Sequence, residues 1–275
     1  MDYSYKDYWR DLHERADLST VGHSALPPNI NKWIYRSLRR NLRHFVRRHG
    51  LIGGAGGRLL EVGVGTGYWV DFWTGLGWTV DGCDLVPSAI TRLRAARPGS
   101  RFWVADVSAE AGILADSGGA AYDLVTVLSV LLHVTRDDAF EQALANVAAA
   151  TKPGGHLLLM EPALTVKKTQ SPFDPTRSSR ARVVRTYVTP LRKAGFELIA
   201  LEATTVLAAN PIEGGSPRRR AVYGRWWQIV SATRQRPGLA RFVGPAMYIG
   251  DALLMRTKDM PTSKLLLFRK TEAVT

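Results

Sequence analysis

The first apolar pattern along the chain has a helical period. Between Asn31 and Gly50, Ile34, Leu38, Leu42, Phe45 and Val46 recur at helical spacing, with Arg36, Arg39, Arg40, Arg43, Arg47 and Arg48 on the other faces. This is a basic amphipathic helix. Gly50 and the run Gly53-Gly54-Ala55-Gly56-Gly57 end it, and the period then changes. Short, near-continuous apolar runs cover 58–64, 79–85, 101–107, 122–129 and 155–164, each bounded by Gly, Pro, Asp or Ser. Helical patterns separate them, one over 68–75 and one that starts with a capping-box-like Thr135-Arg136-Asp137-Asp138, runs through Ala150 and stops at Lys152-Pro153-Gly154-Gly155. Strands that are apolar on both sides and alternate with helices imply a parallel sheet covered on both faces. Two later runs, 196–207 and 263–270, read as further strands separated by about fifty residues rich in Trp, Tyr and Arg; an insertion of that length at a sheet edge is usually a functional cover. The expected architecture is a doubly wound, Rossmann-like α/β domain over 51–275 with seven strands. It carries a helical insertion at about 208–262 and is preceded by an N-terminal helical lid, 1–50.

Composition narrows the function classes. With 45% hydrophobic and 22% charged residues among 275, the chain has globular composition, which excludes wholesale disorder and collagen-like repeats. A single cysteine, Cys83, excludes an internal disulfide and a multi-cysteine zinc site. The sequence contains no uninterrupted apolar run of 18 residues and starts with no signal-like pattern, so the expected location is cytoplasmic. Residues 237–255 are semi-apolar but contain Arg241 and Asp251; they read as a buried or interfacial helix and leave a peripheral membrane contact open.

The net charge of +13 is unevenly placed. Residues 18–50 hold seven basic and no acidic side chains, and residues 164–241 hold fifteen basic and four acidic, whereas residues 51–163 hold seven basic against twelve acidic. If the two basic flanks share a face, that face attracts an anion: a small molecule, an acidic membrane or nucleic acid. The alternative is solvated arginine spread over the surface.

The segment that carries chemistry is Glu61-Val62-Gly63-Val64-Gly65-Thr66-Gly67, between the first strand and a helix. A glycine turn there lets backbone approach a ligand and aims helix N-terminal N–H groups at it. Its glycines fall at every second position after a carboxylate, which differs from the dinucleotide fingerprint. Asp84 ends the second strand, where a carboxylate can accept both hydroxyls of a ribose. Asp106 ends the third, positioned for a purine amine, and Ser129 ends the fourth beside the topological switch point.

The stretches LLEVGVGTG, VDGCDL, FWVADV, YDLVTVLSVLLHV and KPGGHLLLMEP, in this order and spacing, resemble the class I S-adenosylmethionine-dependent methyltransferases, most nearly the group that includes ubiquinone- and menaquinone-biosynthesis-type enzymes. RTYVTPLRKAGF, 185–196, is a weaker similarity, and the late strands fit that family's terminal antiparallel hairpin. The resemblance covers about 58–164. It implies S-adenosylmethionine as cofactor and S-adenosylhomocysteine as product, with the methionine end at Glu61, Gly63, Gly65 and Gly67. It further implies the ribose at Asp84 with Leu85 beside it, the adenine at Asp106 and the Val107 backbone, and Ser129 on the same wall.

Methyl transfer from a sulfonium needs alignment and dry packing, and a base only for a weak nucleophile. His133, just past the fourth strand, is the first candidate base and Glu161, ending the fifth, the second. No (Asp/Asn)-Pro-Pro-aromatic motif follows the fourth strand, and no cysteine lies beyond it, which disfavours amino- and cytosine-methylating nucleic-acid enzymes. Ser129 stands where a metal-dependent relative would carry a carboxylate, so no metal is expected. Aromatic residues of the flanks, Tyr3, Tyr5, Tyr8, Trp9, Trp33 and Tyr35 early and Tyr223, Trp226, Trp227, Phe242 and Tyr248 late, are expected to build the acceptor pocket, with Trp33, Tyr187 and Trp226 as its contacts. Apolar walls with arginines at the mouth suit a small anionic or amphiphilic acceptor, a natural-product or lipid-linked intermediate methylated on oxygen or carbon. Two alternatives stand beside this: an RNA-binding methyltransferase-like module, and a cofactor-binding protein of this fold with a non-methylating reaction.

Overall fold

The computed structural model describes residues 25–114, 121–166, 172–174, 176–257 and 259–272, together with Trp9 and His23. Tyr3, Tyr5 and Tyr8 lie outside the described residues.

Helix α1 (Pro28–Arg48) precedes the sheet, starting with proline at its first position, where a missing N–H costs nothing. The remaining elements follow as β1 (Arg58–Val62), α2 (Tyr68–Thr74), β2 (Thr79–Asp84), α3 (Pro87–Ala96), β3 (Phe102–Val104), β4 (Tyr122–Leu128), α4 (Asp137–Ala150), β5 (Thr151–Glu161), α5 (Val184–Lys193), β6 (Phe196–Ala203), α6 (Pro217–Ala232), α7 (Ala240–Leu254) and β7 (Lys264–Lys270). The seven strands form one sheet in the order β3-β2-β1-β4-β5-β7-β6. β1 to β5 pair in parallel, and β7 lies antiparallel between β5 and β6. The insertion is the helical pair α6 and α7.

Both sheet faces are covered, as the continuous apolar strands require. Leu60 and Val62 join the cluster under α4 and α5, and Leu59 joins the one under α1, α2 and α3. Leu42, Phe45 and Val46 of α1 are part of that second cluster, whereas Ile30 and Ile34 join Trp227, Val243 and Met247 of the insertion in a third. Buried Asp251 of α7 fastens the joint, accepting from Arg40 Nη2 (2.9 Å), Asn41 Nδ2 (2.9 Å) and the backbone N–H groups of Val206 (2.7 Å) and Leu207 (2.9 Å).

Element boundaries shift where backbone geometry intervenes. β1 stops at Val62 because Gly63 turns to φ +81°, and β3 stops at Val104, leaving Asp106 two residues beyond it. α4 begins at Asp137 without a side-chain cap, and the Thr135 carbonyl instead accepts from Arg180 (2.9 Å) and Arg182 (3.0 Å). Lys152-Pro153-Gly154-Gly155 lies inside β5, where the register with β4 shifts between Tyr122 and Leu124.

Candidate active site

The crevice forms where β1 and β4 are neighbours and their following segments diverge, the place an open α/β sheet offers a ligand. On the β1 side the chain enters the glycine loop. A Cβ on Gly63 would lie 2.3 Å from Val130 Cγ2, so only glycine lets this loop abut the turn after β4. Asp84, at the end of β2, accepts from the Gly65 N–H (2.8 Å) through one carboxylate oxygen and from the Val86 N–H (2.9 Å) through the other. The carboxylate thus fixes the loop as well as facing the crevice. Asp106 accepts from Ser108 N (2.9 Å) and Oγ (2.8 Å). Asn146 of α4 holds the same loop from behind by donating to the carbonyls of Val107 and Ala109, both at 2.8 Å.

On the β4 side Ser129 adopts φ +63°, the one non-glycine residue with positive φ among the described residues. Such a conformation costs on the order of 1–3 kcal/mol and persists where surrounding structure enforces it. Here the Ser129 N–H donates to the Met160 carbonyl (2.8 Å). The next three N–H groups, of Val130, Leu131 and Leu132, all donate to the Glu161 carboxylate at 3.0, 2.8 and 2.9 Å. Glu161 is fully buried; burial raises its pKa to about 8, opposed by those three N–H groups and Arg182. Its oxygens are occupied by these three N–H groups and it is not among the residues lining the cavity beside His133, so the geometry gives it the task of shaping the turn that carries His133 and not that of a base.

That turn projects His133 into a cavity of about 460 Å³, within the usual range for small-molecule sites. His133 Nδ1–H donates to the Ser178 carbonyl (2.6 Å), which assigns the basic lone pair to Nε2. Burial lowers its pKa to about 4, so the ring is neutral at physiological pH. The Trp9 ring packs edge-on against it, 4.8 Å between centroids.

Gly63, Gly65, Asp84, Leu85, Asp106, Val107, Ser129 and His133 all line this one cavity. Gly67 does not. It caps α2 at φ +81°, and a Cβ there would meet Leu93 at 2.6 Å, so the packing of α2 against α3 requires glycine here. Glu61 lies behind the wall, 1% exposed, with neither carboxylate oxygen hydrogen-bonded. Burial, then the charges of Asp84 and Asp71, push its pKa well above the usual carboxylate value. Three expected acceptor contacts line no part of the cavity. Tyr187 is fully buried against Phe140, Trp33 packs on Gly244 and Tyr248, and Trp226 Nε1 donates to the Leu207 carbonyl. The core claimed Tyr187, and the packing of α1 against the helical insertion claimed Trp33 and Trp226. Trp9 and Tyr35, two of the flank aromatics named above, line the rest of the cavity together with His23, Leu38, Met160, Thr204, Ala208 and Ala209. The non-aromatic members carried no signal in the sequence, because they come from separated stretches.

A family model described as a methyltransferase domain matches residues 34–201, more than half of the chain. The chain belongs to the methyltransferase-domain family. Its fold is that of the class I S-adenosylmethionine-dependent methyltransferases, and the cavity wall fits that cofactor with Asp84 for vicinal hydroxyls and Asp106 with the Val107 backbone for an aminopurine; behind that wall lies the unpartnered Glu61 carboxylate, of the charge an ammonium needs. The chain is 30% identical over 147 residues to the ubiquinone biosynthesis O-methyltransferase of Paraburkholderia phytofirmans, covering 53% of this chain and 60% of that one. The chain therefore spans less than two thirds of that relative's length. Among solved structures, 1,6-didemethyltoxoflavin-N1-methyltransferase of Burkholderia thailandensis, with its substrate and S-adenosylhomocysteine bound, is similar at TM-score 0.51 and 16% identity over 86% of this chain and 79% of that one. The (4+2)-cyclase SpnF is similar at TM-score 0.52 and 20% identity over 86% and 82%. These likenesses are of fold, and the acceptor has to be argued from the cavity.

Proposed function

We propose that this methyltransferase methylates an oxygen or carbon nucleophile of a small amphiphilic acceptor, with His133 as the base. The observation that carries the reading is the neutral His133 imidazole, its Nδ1–H held by Ser178 and its ring on the cavity wall. When bound, S-adenosylmethionine supplies a methyl group on a sulfonium, and the protein's task is alignment and removal of the acceptor proton. A hydroxyl becomes strongly acidic as its oxygen is alkylated. An imidazole with a pKa of about 4 therefore takes that proton downhill at Nε2.

The wall favours an apolar reactive end. Asp84 and Asp106 are the charged side chains lining the cavity among the described residues, both on the cofactor side. Cations sit outside: the Arg39 guanidinium lies 5.6 Å from the ring centre of cavity-lining Tyr68, and Arg36 lies 4.6 Å from that of Trp33. An acceptor with an uncharged phenolic or enolic head inside and an anionic group at the mouth suits both features. His23, a second imidazole on the wall, has its pKa lowered by burial and is neutral as well.

The test has two steps. Calorimetric titration with S-adenosylmethionine and S-adenosylhomocysteine, against ATP and NAD, establishes the cofactor. Incubation with phenolic and enolic amphiphiles then reads methylated product together with released S-adenosylhomocysteine. His133→Gln is expected to lower kcat about 10²–10⁴-fold with cofactor affinity unchanged; an unchanged kcat would remove His133 from the mechanism.

A further inference from the structure

The insertion has a second face that the active site does not use. α7 buries Ala240, Val243, Gly244, Met247 and Asp251 on one side. Phe242, Ile249 and Leu253, at 64, 60 and 59% exposure, form a stripe on the opposite side. α6 buries Tyr223, Trp227 and Val230 and exposes Val222 and Ile229 opposite them. The inward faces of both helices meet Ile30 and Ile34 of α1 in one cluster, so their apolar stripes point away from the protein. Clusters of large exposed apolar side chains are uncommon on soluble monomers and mark contact surfaces.

The exposed charge carried by these two helices is of one sign. Residues 217–257 contain eight arginines and one acidic residue, Asp251. All eight arginines are exposed, whereas Asp251 is buried and paired with Arg40. Arg218 and Arg225 share the outward side of α6 with Val222 and Ile229. An apolar stripe flanked by arginine and, among residues 217–257, free of exposed carboxylates matches an interfacial helix on an anionic bilayer.

We propose that the outward face of α6 and α7 docks on the surface of an anionic phospholipid membrane. Phe242, Ile249 and Leu253 enter the headgroup and acyl boundary, and the flanking arginines meet lipid phosphates. A second copy of the chain fits this face poorly, because two identical arginine-rich surfaces repel. RNA fits it poorly as well: the exposed apolar groups are aliphatic except for Phe242, and Tyr223 and Trp227, which could stack on bases, face inward. Docking would also set the cavity close to lipid. The cavity-lining segment with Thr204, Ala208 and Ala209 is hydrogen-bonded to the inward side of α7 through Asp251. The proposal stands apart from the identity of the acceptor.

Co-sedimentation of the full chain with vesicles of phosphatidylcholine, and of phosphatidylcholine mixed with phosphatidylglycerol, tests it. The protein is expected to pellet with the anionic vesicles, to stay in solution beside the neutral ones and to be released by high salt. Phe242→Ser with Ile249→Ser is expected to weaken binding at least about tenfold. Arg218→Ala with Arg225→Ala should weaken it by about fivefold per arginine. All four positions are exposed, so melting temperature should stay at the wild-type value and separates lost docking from lost folding. Absence of vesicle binding, equal binding to neutral vesicles, a dimer that requires Phe242 and Ile249, or RNA binding in place of lipid binding would each overturn the proposal.

Discussion

Replacing Glu61 with leucine tests the reading of the site at its least compensated atom pair. The side chain shares a face of β1 with Leu59 and is 1% exposed, and both its oxygens lack hydrogen-bond partners. A buried polar group without partners costs about 1–3 kcal/mol, so an apolar residue of similar size should stabilise the ligand-free protein by that amount. Each kcal/mol corresponds to a rise in Tm of about 2–4 °C for a protein near this size. The sign of the pH dependence follows from the raised pKa. The folded state holds the Glu61 proton more tightly than the unfolded state, whose value is near 4.5, so stability is greatest below that value and falls as pH climbs toward the folded pKa. The Glu61→Leu variant should lack this slope. Pairing with the ammonium of S-adenosylmethionine requires the ionised carboxylate, so wild-type binding should release protons at pH values below the raised folded-state pKa, read by calorimetry in buffers of different ionisation heat. The same variant should bind the cofactor about 10–150-fold more weakly, equivalent to a charge-assisted bond of about 1.5–3 kcal/mol. A Glu61→Leu protein that melts lower than wild type and binds the cofactor equally well would refute the assignment and make Glu61 a support of the glycine loop alone.

Three further outcomes are expected. Asp84→Ala loses the acceptor for the Gly65 and Val86 N–H groups as well as the hydroxyl contacts, and cofactor affinity should fall by about 2–4 kcal/mol in the same titration. Glu161→Gln replaces one of two oxygens that together accept three N–H groups, and thermal melts should show a loss of about 1–3 kcal/mol; a wild-type melt with abolished turnover would return Glu161 to the chemistry. Asp251→Asn removes the charge that Arg40 answers at full burial, and should destabilise by about 3–5 kcal/mol; an unchanged Tm would mean that α1 and α7 are held by packing alone.

The parts of this protein that were legible before folding are those whose signal is local. Continuous apolar strands, the alternating glycines of residues 63–67 and the residues that follow each strand are read over a few positions. They are enough to place Gly63, Gly65, Asp84, Asp106 and Ser129 at one edge of the sheet. The rest of the cavity wall was legible only in part, for the opposite reason. Aromatic residues serve a core and a pocket equally well, and Trp33, Tyr187 and Trp226 were drawn into packing while Tyr35 and Trp9 reached the cavity. Asn146 carries no motif, yet it holds the loop after β3 from fourteen-residue α4. Glu161 stood at a strand end like the site carboxylates, but the N–H groups of the next turn occupied it.

The sequence alone thus determined the alternation of strand and helix, the glycine turn and the carboxylates that follow the strands, because these depend on periodicity and on residues adjacent in the chain. Only the tertiary structure decided which of two buried carboxylates is satisfied, which aromatic rings face the cavity and which face of the arginine-rich insertion is left outward. Those outcomes depend on groups brought together from distant parts of the chain, where burial and the competition for hydrogen-bond partners assign each side chain its role.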